Sequence, residues 1–178
     1  MLLGGVVRGS PNPLHFGLAV RFRQAFRLSG LTRRALARHS DVSDPLIGYL
    51  ETGRRLPTVA TIVRVASGLS VSPGWLAYGI GEKSHEGPTA TSDGMGARLL
   101  LVRTEMGLAK AVLARLVNLS PSALAKIENG GQTGIEVIEA LAKVLNVSPA
   151  WLAFSQEPRA LASRRRPRIT EASATSFD

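Results

Sequence analysis

The chain has 178 residues, 44% of them hydrophobic, which is enough for one or two cores, and no cysteine, which excludes disulfide scaffolds, thiolate metal sites and cysteine nucleophiles. Its net charge of +9 favours a polyanionic partner such as nucleic acid, although charge alone also admits an anionic membrane. His15, His39 and His85 are scattered without metal-ligand spacing, and the apolar start at residues 2–7 is too short for a membrane span and lacks the basic flank of a signal peptide. No metal, no cofactor, no membrane partner and a cytoplasmic location are therefore expected.

In chain order, Leu14, Leu18, Phe22 and Phe26 recur every fourth residue and predict one helical stripe, with Arg21, Arg23 and Arg27 on the other faces. Gly30 stops this helix, and Thr32 is a good N-cap for a short second one over residues 33–39, with Leu36 and Ala37 turned inward. Ser40, Asp41 and Val42 make a tight turn, after which Ser43 caps a third helix from Asp44 to about Glu51, closed by Gly53. Pro45 falls in its first turn, where a missing N–H costs nothing. Thr58 opens a fourth helix that buries Val59, Ile62, Val63, Ala66 and Leu69, and Ser72-Pro73 opens a short fifth one carrying Trp75 and Leu76.

The same plan then recurs. Residues 18–78 repeat over residues 94–154, displaced by 77 positions and, after a one-residue deletion, by 76. Arg21 falls on Arg98, Gly30 on Gly107, Glu51 on Glu128, and Val71-Ser72-Pro73 on Val147-Ser148-Pro149. So long a period makes each copy a small domain rather than one layer of a solenoid. In the second copy Leu99, Val102 and Met106 are expected to line the first helix, and Leu113 and Ala114 anchor the second. Ser120-Pro121 open the third helix, and Ile135, Ile138, Leu141, Ala142 and Leu145 form the fourth stripe. A small residue facing the corner (Ala37, Ala114), with Ile47 or Leu124 filling the wedge, suits a helix-turn-helix, yet the apolar pattern alone fits any five-helix bundle.

The residues themselves decide between those. LTRRALARHSDVSDPLIGYLETGRRLP (residues 31–57), LAKAVLARLVNLSPSALAKIENG (residues 108–130) and the closing strings VSPGWLAYG and VSPAWLAFS resemble the lambda-repressor/Cro type of helix-turn-helix domain, also called the xenobiotic-response-element family. The resemblance covers roughly three-quarters of the chain. It implies an all-α fold of two tandem five-helix domains, at residues 14–81 and 95–155. Around them lie a flexible N-terminus (1–13), a flexible linker (82–94) and a basic disordered tail (156–178). It also implies double-stranded DNA as partner, with the third helix of each domain in the major groove. Carried over by position, the base-edge residues are Ser43, Asp44, Pro45 and Tyr49 in the first copy and Ser120, Pro121, Ser122 and Lys126 in the second. Thr32, Arg33 and Arg34 and, in the second copy, Lys110 open helix two. Arg54, Arg55, Asn129 and Gln132 follow helix three at phosphate-contact positions.

The two copies depart from the family pattern in opposite ways. The first has nine basic against three acidic side chains, but its recognition helix carries Asp44, which repels phosphates unless it meets cytosine N4, and Gly48, a helix-weakening residue. In the second, Ser122 and Lys126 suit base edges while six basic face four acidic side chains. The expectation is that copy one supplies affinity and copy two more of the specificity. Glu51 and Glu128 read as structural, since the family pairs this glutamate with an arginine of helix one. Copy two has that arginine as Arg103, whereas copy one has Phe26, leaving Glu51 to find Arg27 or Arg23 or to face solvent. Neither glutamate has a second carboxylate or nucleophile at catalytic spacing, so no enzyme is expected. Trp75 and Trp151 read as core plugs rather than platforms for stacking bases.

A flexible 13-residue linker spans roughly 20 Å on average and about 43 Å at full stretch, enough to put the modules on adjacent major-groove faces about 34 Å apart. The run Arg164, Arg165, Arg166 and Arg168 suits an arm that follows phosphates or enters the minor groove, or equally a solvated tail. The expected function is a sequence-specific transcriptional regulator, a repressor before an activator, in the style of a phage or mobile element. A homodimer, RNA polymerase or a toxin-like protein are further conceivable partners, the last because family domains also occur in antitoxins.

Overall fold

The computed structural model describes residues 12–84 and 94–160. Most of the expected N-terminal segment, of the linker and of the basic tail lies outside the described residues, which still include 12–13, 82–84 and 156–160. Those described are all-α: a 3-10 turn at Leu14–Gly17, then α1 (Leu18–Ser29), α2 (Arg33–His39), α3 (Asp44–Thr52), α4 (Val59–Gly68) and α5 (Pro73–Tyr78). The second repeat follows with α6 (Met95–Glu105), α7 (Lys110–Leu116), α8 (Pro121–Glu128), α9 (Ile135–Val144) and α10 (Pro149–Phe154).

Local chemistry sets most of these boundaries. The side chains of Thr32, Thr58, Ser72, Ser120 and Ser148 each accept a hydrogen bond from the backbone N–H three residues on, satisfying donors the helix leaves free. Ser43 holds the N-cap position of α3 but makes no such bond. Gly30 and Gly53 leave α1 and α3 in the left-handed region, at φ of 65° and 68°, where a Cβ would strain the chain.

Within each repeat the packing is the same. The first helix lies on the third and fifth, the second on the third and fourth, and the fourth on the fifth. Leu18, Phe22, Leu36, Ile47, Leu50, Ile62 and Leu76 are buried in the first core, and Leu99, Leu113, Leu124, Ile138, Leu141 and Leu152 in the second. Two residues depart from the helical stripes read from periodicity. Leu14 lies in the 3-10 turn and is partly exposed, because the chain only enters α-geometry at Leu18. Met106 is 47% exposed, since α6 ends at Glu105 and the next residue points away from the core.

The repeats do not hang apart on their linker; they pack on each other through α5 and α10. The contacts follow a pseudo-twofold. Thr58 bridges Gly134, its own counterpart, and on either side the Val59 N–H donates to Thr133 at 3.0 Å while the Ile135 N–H donates to Pro57 at 3.3 Å. Val59 corresponds to Ile135 and Pro57 to Thr133, so the two bonds are the same bond seen from either side. Counterparts meet again where the Tyr78 and Phe154 rings lie 6.2 Å apart. They meet once more at Gly74 and Ala150, where a Cβ on Gly74 would stand 2.8 Å from that of Ala150. The repeat unit also continues past the fifth helix. The Ser72 N–H donates to Lys83, whose ammonium lies over Trp75, and the Ser148 N–H donates to Arg159, whose guanidinium lies over Trp151. Lys83 and Arg159, placed by composition in linker and tail, are thus straps across the two tryptophans. Trp151 is buried and Trp75 half-buried beneath them.

Among the described residues, three inter-repeat contacts break the symmetry. Tyr78 donates its hydroxyl to the Ile135 carbonyl at 3.0 Å, which Phe154 cannot reciprocate. Gln156 accepts from the Gly74 N–H at 2.7 Å and lies 3.2 Å from Ser72 Oγ. His15, buried, sets Nδ1 2.6 Å from Glu139 Oε2, and the Leu14 and His15 N–H groups donate to the same carboxylate.

Candidate nucleic-acid interface

In the first repeat α2 and α3 are joined by a turn in which Asp41 is left-handed (φ 48°) and the Val42 N–H donates to Ala37 at 3.0 Å. In the second, Asn118 (φ 56°) and the Leu119 N–H to Ala114 bond at 2.8 Å do the same. Asp and Asn are the non-glycine residues that tolerate this conformation best. Ala37 and Ala114 are buried at the corner, and Ile47 and Leu124 fill the wedge completely. A larger corner side chain would push the helices apart and change the angle at which α3 and α8 are presented.

Of the residues read as DNA-binding, Thr32, Arg33, Arg34, Ser43, Asp44, Pro45, Tyr49, Arg54 and Arg55 are exposed in the first repeat. Ser120, Pro121, Ser122, Lys126, Asn129 and Gln132 are exposed in the second, and Lys110 is half-exposed. Arg164, Arg165, Arg166 and Arg168 lie outside the described residues. Arg34 and Ser43 line one open groove of about 510 Å³ in the corner between α2 and α3, together with Arg38 and Asp41. Arg38 was not singled out from sequence, although its place one turn after Arg34 on α2 carried the signal. Asp41 does not stand alone there, because Arg64 reaches it at 3.4 Å from α4. In the second repeat Ser120 and Ser122 hydroxyls lie 3.0 Å apart, so the N-cap also orients the residue expected at a base edge. Gln132 lines a cleft of about 260 Å³ with Gly94, Gly96 and Gly131, where α6 starts beside the loop after α8.

Several basic residues are occupied elsewhere. Arg21 donates to the Leu76 and Ala77 carbonyls at 2.9 and 2.7 Å, and its counterpart Arg98 donates to Leu152 and Ala153 at 3.0 Å each. Both guanidiniums tie a first helix to the C-terminal carbonyls of a fifth, where positive charge is favoured. Burial holds both below the ordinary arginine range, Glu139 opposing that shift at Arg21. Arg103 meets Glu128 as expected, through Nε at 2.5 Å. Glu51 finds neither Arg27 nor Arg23 with its carboxylate. Arg33 takes it at 2.5 Å, and Arg23 donates instead to the Glu51 carbonyl. Arg33 reaches across from the start of α2, a closeness that order along the chain does not reveal.

Among the described residues no group of three or more His, Cys, Asp or Glu is placed to hold a metal, and no helix is long and apolar enough to cross a membrane. The family described as "Helix-turn-helix domain" matches residues 18–76, and the family described as "Helix-turn-helix" matches residues 99–152. No curated protein and no solved structure matches the chain.

Proposed function

The chain belongs to the helix-turn-helix family through both of its repeats, and from that premise we propose that it is a sequence-specific transcriptional regulator, without catalytic activity, whose two unlike recognition helices read one duplex. The observation that carries this reading is the isologous pairing of the repeats through α5 and α10, with the two α2-α3 and α7-α8 surfaces left exposed. Helices α3 and α8 are related by the same pseudo-twofold, as half-sites of a duplex are. One chain then does what two identical subunits do elsewhere, and because α3 and α8 differ in sequence its site need not be palindromic. Spacing between half-sites follows from the packed interface rather than from the reach of the linker.

In this reading Ser122 and Lys126 contact base edges from α8, while Arg34, Arg54 and Arg55 supply phosphate contacts that carry affinity without sequence information. Repression is the favoured outcome, since occupancy alone blocks polymerase. The basic run from Arg164 to Arg168 serves as a further phosphate arm, which removing residues 161–178 tests through its effect on affinity.

Selection of the purified protein against a random duplex library, sequenced at two salt concentrations, tests the whole proposal. It should enrich a motif of two unlike half-sites about 10 base pairs apart. Insertion of flexible residues between Glu86 and Asp93 should leave that spacing unchanged. Binding with no enriched motif would overturn sequence-specific regulation, and a spacing that drifts with linker length would overturn the fixed pairing.

A further inference from the structure

Each recognition helix ends near a glutamate, and the two carboxylates find different cations. In the second repeat Arg103 of α6 reaches Glu128 through Nε at 2.5 Å and Nη2 at 3.4 Å, with only 11% and 4% of the two side chains exposed. Lys110 stands 3.4 Å from the same carboxylate with 42% of its side chain in solvent. A buried carboxylate held by a two-pronged guanidinium is already satisfied, so it needs little from Lys110.

The first repeat lacks that arrangement. Phe26 occupies the position of Arg103 and stacks on Phe22, with ring centroids 5.7 Å apart. It offers Glu51 no charge. Arg33, the counterpart of Lys110, fills the gap by donating from Nη2 to Glu51 Oε2 at 2.5 Å, with 50% and 24% of the side chains exposed. The cation expected to meet DNA is therefore the one committed to the carboxylate.

Given the DNA-binding reading above, on which this rests, we infer that Glu51 restrains the first module by holding Arg33 away from phosphate. The pair is a single ion pair with half of the arginine side chain in solvent, so replacing Glu51 frees Arg33 at little cost to the fold. Arg33 is thus a ligand in reserve, and the start of α2 offers one fewer ready cation than its sequence indicates. Lys110, whose glutamate is served by Arg103, carries no such restraint.

The test uses the full chain and a labelled duplex of about 30 base pairs of mixed sequence, because phosphate contacts do not depend on sequence. Binding is followed by fluorescence anisotropy over a salt series. Glu51→Gln should tighten binding roughly two- to fivefold, and steepen the log–log salt slope by about 0.9, the value of one additional phosphate contact. In an Arg33→Gln background the same change should gain nothing, since there is no cation left to release. Separately, Arg33→Gln alone should weaken binding much less than Lys110→Gln. A gain from Glu51→Gln that persists without Arg33 would mean general repulsion by the carboxylate and would overturn the inference. An Arg33→Gln loss as large as that of Lys110→Gln would overturn it as well. Should Glu51→Gln fail to fold, as judged by circular dichroism, the comparison of Arg33→Gln with Lys110→Gln decides alone. If the native chain does not bind duplex at all, the DNA-binding reading itself falls.

Discussion

Gly48 lies inside α3, the first recognition helix, and replacing it with alanine should stabilise the protein. Two quantities fix the sign. Glycine in a helix interior costs about 1 kcal/mol relative to alanine through backbone entropy. Against that stands whatever the new methyl meets, and a Cβ built on Gly48 meets only Arg33 Nη1 at 3.9 Å, an ordinary contact. Nothing offsets the entropy gain, so Gly48→Ala should add about 0.5–1 kcal/mol. With a urea m-value of about 1–3 kcal/mol/M, the midpoint rises by roughly 0.2–1 M at unchanged m. Gly96→Ala is the matched contrast in the second repeat. There a Cβ would lie 2.3 Å from the Glu128 carbonyl oxygen and 2.7 Å from that of Ile127, both backbone atoms that cannot swing aside. The same glycine-to-alanine change at Gly96 should therefore lower stability, by about 1–3 kcal/mol. The assay is urea unfolding followed by circular dichroism for both variants. A midpoint for Gly48→Ala at or below that of the native chain, with m unchanged, would refute the reasoning. So would a stabilising Gly96→Ala.

Other outcomes follow from the same geometry. Arg103→Leu strands Glu128 with only Lys110 at 3.4 Å, so it should cost about 3 kcal/mol in urea unfolding. Arg33→Gln breaks a solvent-exposed pair and should cost less than about 1 kcal/mol. Arg54→Ala should weaken binding to all duplexes alike and flatten the salt slope, whereas Lys126→Ala should relax preference at one or two base pairs; equal loss of discrimination from both would remove the division of labour. Burial, reinforced by Glu139 and Glu136, pushes the Tyr78 phenol well above its ordinary range. The folded chain therefore keeps a proton that the unfolded chain releases above about pH 10, so this contribution to stability is full below that pH and declines above it. Tyr78→Phe, which removes the bond to the Ile135 carbonyl at a cost of about 1 kcal/mol, should also abolish that part of the alkaline decline in melting temperature.

What the sequence alone determined is what neighbours along the chain determine. Thr32, Thr58, Ser72, Ser120 and Ser148 cap helices because each hydroxyl needs only the N–H three residues ahead. The corner alanines and wedge residues were legible for a similar reason, since helix periodicity and a short turn bring them together. The repeat itself announced two modules, and the pairing of Arg103 with Glu128 is what the family resemblance implied. Tertiary structure decided the rest. Which cation serves Glu51 depended on how far Arg33 can reach from another helix. That Arg21 and Arg98 bind helix ends rather than an outside partner depended on where α5 and α10 fold back. The joining of the modules along Thr58–Gly134, Gly74–Ala150 and Tyr78–Phe154 was hidden for the plainest physical reason. Local spacing fixes what each helix buries in its own bundle, whereas the fit of one bundle to another depends on surface shapes that exist only once both have folded.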